Sequence, residues 1–145
     1  MLRRSLIAAL PILAVASAAQ AAGGGSGKDK APTAQHVDIS PVALPVVVDG
    51  RVINYVFLEM RLNLSALANL AKLQEKEPYF RDALVRMGHR RPFTRKTDYL
   101  SLDEARLKSF MLAEAQRIGG KDVTGAEVMS QTPKRRTGVP QPPKA

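Results

Sequence analysis

VINYVFLEMRLNL, residues 52–64, alternates: Val56, Leu58, Met60, Leu62 and Leu64 fall on one side, and Phe57, Glu59, Arg61 and Asn63 on the other. Successive side chains of a strand point to opposite faces, so this period of two predicts a long strand with one buried face and one open face. Such a strand needs partners. Upstream, VALPVVV (42–48) is β-branched and apolar, and Asp49-Gly50 between the two runs is a hairpin signal. Pro45 has no N–H to give to a ladder, which places the first strand at a sheet edge.

Downstream the period changes to that of helices. Ser65 predicts a helix cap, with Leu67, Leu70, Ala71 and Gln74 on the core side of a helix reaching Glu77. Pro78 lacks an N–H and clashes with a preceding turn, so it starts or kinks a helix rather than continuing one. In EKEPYFRDALVRM (75–87), Phe80, Ala83, Leu84 and Met87 share one helix face, predicting a second helical stretch from Tyr79 to about His89. Pro92 closes it, and RRPFTRKTDYL (90–100) reads as a basic loop. Ser101 and Glu104 have capping-box spacing and predict a helix to Ile118, with Leu107, Phe110, Met111, Ala115 and Ile118 inward. Gly119-Gly120 supplies a left-handed stop. Val123 to Gln131 has a weak period of two and predicts a short closing strand. Strand, strand, three helices, strand is an α+β order: a small, mainly antiparallel sheet with helices on one face.

The flanks read differently. Residues 1–21 combine Arg3-Arg4, an apolar run from Leu6 to Ala16 and a small-x-small site ending at Ala21, the parts of a secretory signal peptide cleaved after Ala21. An uncleaved segment would instead be an inner-membrane anchor. Residues 22–36 form a Gly- and Ser-containing linker, and residues 133–145, with four prolines and four cations, a disordered basic tail. The domain is expected at 37–132.

Without Arg3 and Arg4, the 22 basic residues become 20 against 13 acidic ones, a net +7. For an exported, periplasmic protein the available anions are lipid headgroups, cell-wall polymers and acidic protein faces. The chain has no cysteine, hence no disulfide, thiolate nucleophile or Cys-ligated zinc. His36 and His89 lie far apart without metal-ligand spacing, there is no GxSxG elbow, and the acidic residues are scattered. No catalytic residue, metal site or cofactor is expected. RNA-binding motifs are missing and aromatic interleaving is thin, so nucleic acid is not expected as a partner. The compositional outlier is the run Arg81–Lys96, with six cations against Asp82 alone. Arg86, Arg90, Arg91, Arg95 and Lys96 are the candidate partner-binding surface.

Four stretches together resemble the flagellar basal-body-associated FliL family, over about residues 42–131. LPVVVDGRVINYVFLEMRLNL (44–64) looks like the family's opening strands, and the helix 101–118 like its later helix. KDVTGAEVMSQ (121–131) resembles its closing strand, ending in Gln131. KEPYFRDALVRM (76–87) is the most specific: Lys76, Glu77, Pro78, Arg81 and Asp82 match its proline-centred segment. The resemblance implies a domain similar to stomatin-type domains. It implies assembly of copies into a ring and contact with flagellar stator or basal-body proteins, in a non-enzymatic role supporting the motor. The alternative is an envelope-binding module held by its basic loop and tail to anionic lipid or cell-wall polymer.

Overall fold

A computed structural model of the chain describes residues 34–143. The expected signal peptide, 1–21, and residues 22–33 of the expected linker lie outside the described residues. Strand β1 (His36–Val48) and strand β2 (Arg51–Leu64) form an antiparallel hairpin. Asp49 and Gly50 between them both have positive φ, 49° and 73°, which a tight primed turn requires. Strand β3 (Val123–Pro133) pairs antiparallel with the other side of β2, so the sheet order is β1-β2-β3 and β2 is central.

The alternation of β2 holds. Val56, Leu58, Met60, Leu62 and Leu64 are buried, and Phe57 and Glu59 are exposed. Strand β1 lies at an edge, where Pro45 costs the ladder least. It begins six residues before the expected Val42, at His36, so the last linker residue belongs to the sheet. A bulge between Ile39 and Val42 accounts for the difference. Val37 and Ile39 are buried on odd numbers, Val42, Leu44 and Val46 on even ones, so the bulge shifts the inward face by one residue.

Helix α1 is short, Leu70–Gln74, and Ser65 does not cap it. Asn69 does, accepting the Lys72 N–H at 3.0 Å. Ser65 instead joins the sheet end, its N–H donating to Asp122 O at 2.8 Å. Starting the helix too early rotates its predicted face. Leu67 is 96% exposed, and Ala71 and Gln74 are also exposed, while Ala68 and Leu73 are buried.

Helix α2 (Glu77–Arg90) carries Pro78 in its first turn, where a missing N–H is harmless. The proline starts this helix and does not kink it. Phe80, Ala83 and Leu84 are buried, with Met87 half-buried. Gly88 lets α2 approach β1, since a Cβ there would lie 2.7 Å from a terminal carbon of buried Leu44. Helix α3 (Glu104–Gly119) is capped by Asp103, not by a box at Ser101; Asp103 Oδ1 accepts the Arg106 N–H at 3.1 Å. Leu107, Met111 and Ala115 are buried and Phe110 and Ile118 half-buried. Gly120, at φ 87°, ends the helix.

The helices cover the inward face of the sheet, α1 and α2 over β1 and α3 over β3. The result is an α+β domain with one core. Its outer sheet face carries Tyr55, Phe57 and Met129 beside the Asp38–Arg61 ion pair, 2.6 Å.

Candidate interaction surface

The proline-centred segment braces the fold. Lys76 Nζ donates to Ile118 O, 2.7 Å away in the last turn of α3, where a cation also meets the negative end of the helix dipole. Glu77 Oε1 accepts the Ser40 N–H at 2.8 Å, satisfying backbone inside the β1 bulge. Asp82 pairs with Arg86 one turn on, and Arg81 is exposed. Lys76 and Glu77 thus join the start of α2 to α3 and to β1.

The structure separates the five candidate cations. Arg86 and Arg90 border a groove between α2 and α3, opposite Arg117, over Ala83, Met87 and Phe110; this stretch holds about 270 Å³. Arg91 borders its continuation, about 380 Å³, opposite Arg106 and Ser109 and again over Met87 and Phe110. The Arg106 guanidinium lies 5.5 Å from the centre of the Phe93 ring, a cation–π contact. Phe93 and Phe110 meet at 5.9 Å between centroids.

Arg95 and Lys96 lie elsewhere. The Thr94 hydroxyl takes the Val47 N–H at 2.9 Å and donates to Val47 O at 3.1 Å, pinning the loop to β1. Phe93 and Tyr99 are buried beneath it. Arg95 Nη1 donates to Ser101 Oγ at 3.1 Å, and Lys96 is exposed.

The same end of the sheet receives the C-terminal segment. Expected as a disordered tail from Pro133, it begins as the last residue of β3 and stays tied onward. The Lys134 N–H donates to Tyr55 O at 2.8 Å, Arg135 exchanges bonds with the buried Asn54 amide, and Val139 packs half-buried against the core. Lys134, Arg135 and Arg136 therefore join Arg95 and Lys96 near the sheet's hairpin end.

Sequence reasoning missed Arg106 and Arg117. Their signal is the stripe Arg106, Phe110, Glu114, Arg117, which follows helical spacing beside the buried stripe of α3.

The loop's own groups hold one carboxylate, Asp98, which accepts from the Leu100 N–H and the Ser101 hydroxyl. Burial pushes the Asp98 carboxyl up, but the Ser101 hydroxyl, the Leu100 N–H and the Arg95 charge together pull it further down, so it sits below the ordinary value of 3.8. A depressed carboxylate stabilises the fold above its unfolded value and loses that contribution as pH falls through its folded value. Protection of the Leu100 amide against exchange, relative to the intrinsic rate at each pH, should fall on acidification below pH 3.8, and Asp98→Asn should flatten that fall. An equal fall in the variant would place the acid response elsewhere, Asp38 beside Arg61 being the other depressed carboxyl among the described residues.

Among the described residues no group of three or more His, Asp or Glu side chains is placed to hold a metal ion. His89 Nδ1 lies 2.8 Å from Val85 O inside its own helix, and His36 is exposed beside Asp38. No described helix is long and apolar enough to cross a membrane. Compared with protein-family models, curated proteins and solved structures, the chain matches none.

Proposed function

We propose that the chain is a non-enzymatic, exported interaction module of the FliL type, supporting the bacterial flagellar motor from the periplasm through contacts with stator or basal-body proteins and with its own copies. One observation carries this reading. The segment of most specific resemblance, Lys76 to Asp82, is a brace between layers, and the helix it starts ends in exposed arginines beside an open groove. Surface of this kind suits docking, which needs exposed complementary charge around a partly apolar centre. The gathering of Arg95, Lys96 and Lys134 to Arg136 at the hairpin end favours a second reading, attachment to anionic lipid or cell-wall polymer.

Salt separates the two. Polybasic attachment weakens steeply with ionic strength, whereas a packed protein interface persists. The test is in-cell cross-linking and pull-down of the tagged full-length chain with a high-salt wash, read by mass spectrometry. Stator or basal-body proteins should be retained. Recovery of only the chain itself or lipid, lost in high salt, would overturn the motor reading in favour of the second.

A further inference from the structure

We propose that the groove between α2 and α3 takes an acidic amphipathic helix of a partner protein. One large apolar side chain of that helix seats on Met87 and Phe110, and its carboxylates meet Arg90, Arg91 and Arg106. The proposal rests on the interaction-module reading and gives it a surface and a partner chemistry.

The groove floor is apolar and unfinished. Leu84, Leu107 and Met111 are fully buried, but Met87 and Phe110 on the same two helices are only half-buried. The two helices run in opposite directions, Ala83 facing Glu114 and Arg91 facing Arg106 across the same floor. From Ala83 to Arg91 the channel is about 12 Å long, room for a little over two helical turns. Two antiparallel helices with a recessed apolar seam are what a third amphipathic helix packs into, through anchors three and four residues apart.

The rim sets the sign of the partner. Five guanidiniums border the groove. Two are committed within their own helices, Arg86 to Asp82 and Arg117 to Glu114. Arg90, Arg91 and Arg106 have no carboxylate within ion-pair distance among the described residues. A guanidinium fork matches a carboxylate in two parallel hydrogen bonds, and Phe93 fixes one side of Arg106 in advance. A bilayer is a poorer occupant, because its flat surface reaches the rim and not the recessed floor. A nucleic acid backbone offers phosphate to the arginines but nothing apolar to Met87, and it would meet the Glu114 carboxylate on the wall.

The test uses the full-length chain and synthetic helical peptides of about three turns. One peptide carries Glu on one face and Leu on the other; a second replaces Leu by Gln; vesicles of phosphatidylcholine with phosphatidylglycerol are the third probe. The Glu/Leu peptide should bind about tenfold or more tightly than the Glu/Gln peptide, since burying one leucine is worth at least that much. Arg90→Glu/Arg91→Glu/Arg106→Glu should weaken it about tenfold or more, and Arg95→Glu/Lys96→Glu should leave it unchanged. Ser109→Trp, which fills the groove and keeps every charge, should weaken it similarly, so the outcome does not hang on the folding of the triple variant. Equal binding of both peptides, equal loss in the Arg95/Lys96 variant, no loss with Ser109→Trp, or vesicle binding that alone depends on Arg90, Arg91 and Arg106 would each overturn the proposal. If the triple variant still retains motor proteins in the pull-down, the groove assignment falls and the module stands. If the Glu/Leu peptide binds as expected but no motor protein is recovered, the flagellar role falls and the groove stands.

Discussion

Phe80→Ala should lower the stability of the domain by about 3–5 kcal/mol, while Tyr79→Ala beside it should change stability by less than about 0.5 kcal/mol. The two aromatics follow Pro78 in the first turns of α2, and their environments are opposite. Phe80 is 0% exposed, in the core with Leu73 and Leu84. Its ring reaches α3: a Cβ on Gly119 would lie 3.3 Å from Phe80 Cζ. Truncation removes the transfer free energy of a phenyl group and leaves a cavity beside Gly119 of α3, where Leu73 of α1 and Val123 of β3 also converge. Tyr79 is 65% exposed and stands outside the core cluster. Urea unfolding of the two variants is the measurement. The expected result is a large drop in midpoint for Phe80→Ala with an unchanged m-value, and for a domain of about 100 residues a fall in Tm on the order of 15 °C or more. A cost under about 1 kcal/mol would mean that Lys76 and Glu77, rather than the phenyl ring, dock this helix.

This contrast bears on what the segment is for. Pro78 sits in the first turn of α2, three residues after the Glu75 cap of α1, and Phe80 anchors the new helix two residues later. Lys76 and Glu77, immediately before, tie the junction to α3 and to the β1 bulge. The direction of α2 is fixed within the five residues from Lys76 to Phe80, and with it the row Arg86, Arg90, Arg91. The exposed arginines at the end of α2 are therefore a consequence of a packed junction.

Of that row, Arg90 and Arg91 read as the start of a loop, yet α2 runs through Arg90 with Arg91 as its C-cap; Arg86, inside the expected helix, was legible. So was the inward face of β2, whose phase runs unbroken from Val56 to Leu64. Legibility failed where phase breaks or distant backbone decides. The β1 bulge hides Val37 and Ile39 from a period-two reading. Asn69 and Asp103, not Ser65 and Ser101, cap the helices, and Asp122 and Asp98 engage those serines from outside the helices. Arg95 and Lys96 looked continuous with Arg86 to Arg91. Thr94 binds Val47, 47 positions earlier, and carries them to another end of the domain. Arg106 and Arg117 belong to the groove only because α3 packs antiparallel to α2, which no local pattern reveals.

Asn54→Ala should cost about 2–3 kcal/mol and loosen the C-terminal segment before the domain unfolds. Asn54 is 3% exposed, the one polar residue among the fully buried side chains described. Its Oδ1 accepts the Arg135 N–H at 3.1 Å and the Tyr55 N–H at 2.9 Å, and its Nδ2 donates to Arg135 O at 3.0 Å and reaches Tyr99 O at 3.5 Å. One amide thus joins the central strand, the loop after α2 and the segment after β3. Alanine removes every one of these bonds and leaves buried backbone groups unpaired. Arg135 is exposed enough to recover water, which keeps the cost below that of a fully enclosed network. The local effect should exceed the global one. Lys134, Arg135 and Arg136 are trypsin sites, and their cleavage under native conditions should accelerate in the variant well before urea unfolds the sheet. Asn63→Ala, which removes only a rim bond to Glu127, should leave both cleavage and stability nearly unchanged. If Asn54→Ala destabilises the domain while cleavage stays slow, the segment is held by the Lys134–Tyr55 ladder bond and by Val139. The basic residues at the hairpin end would then keep their place without the amide.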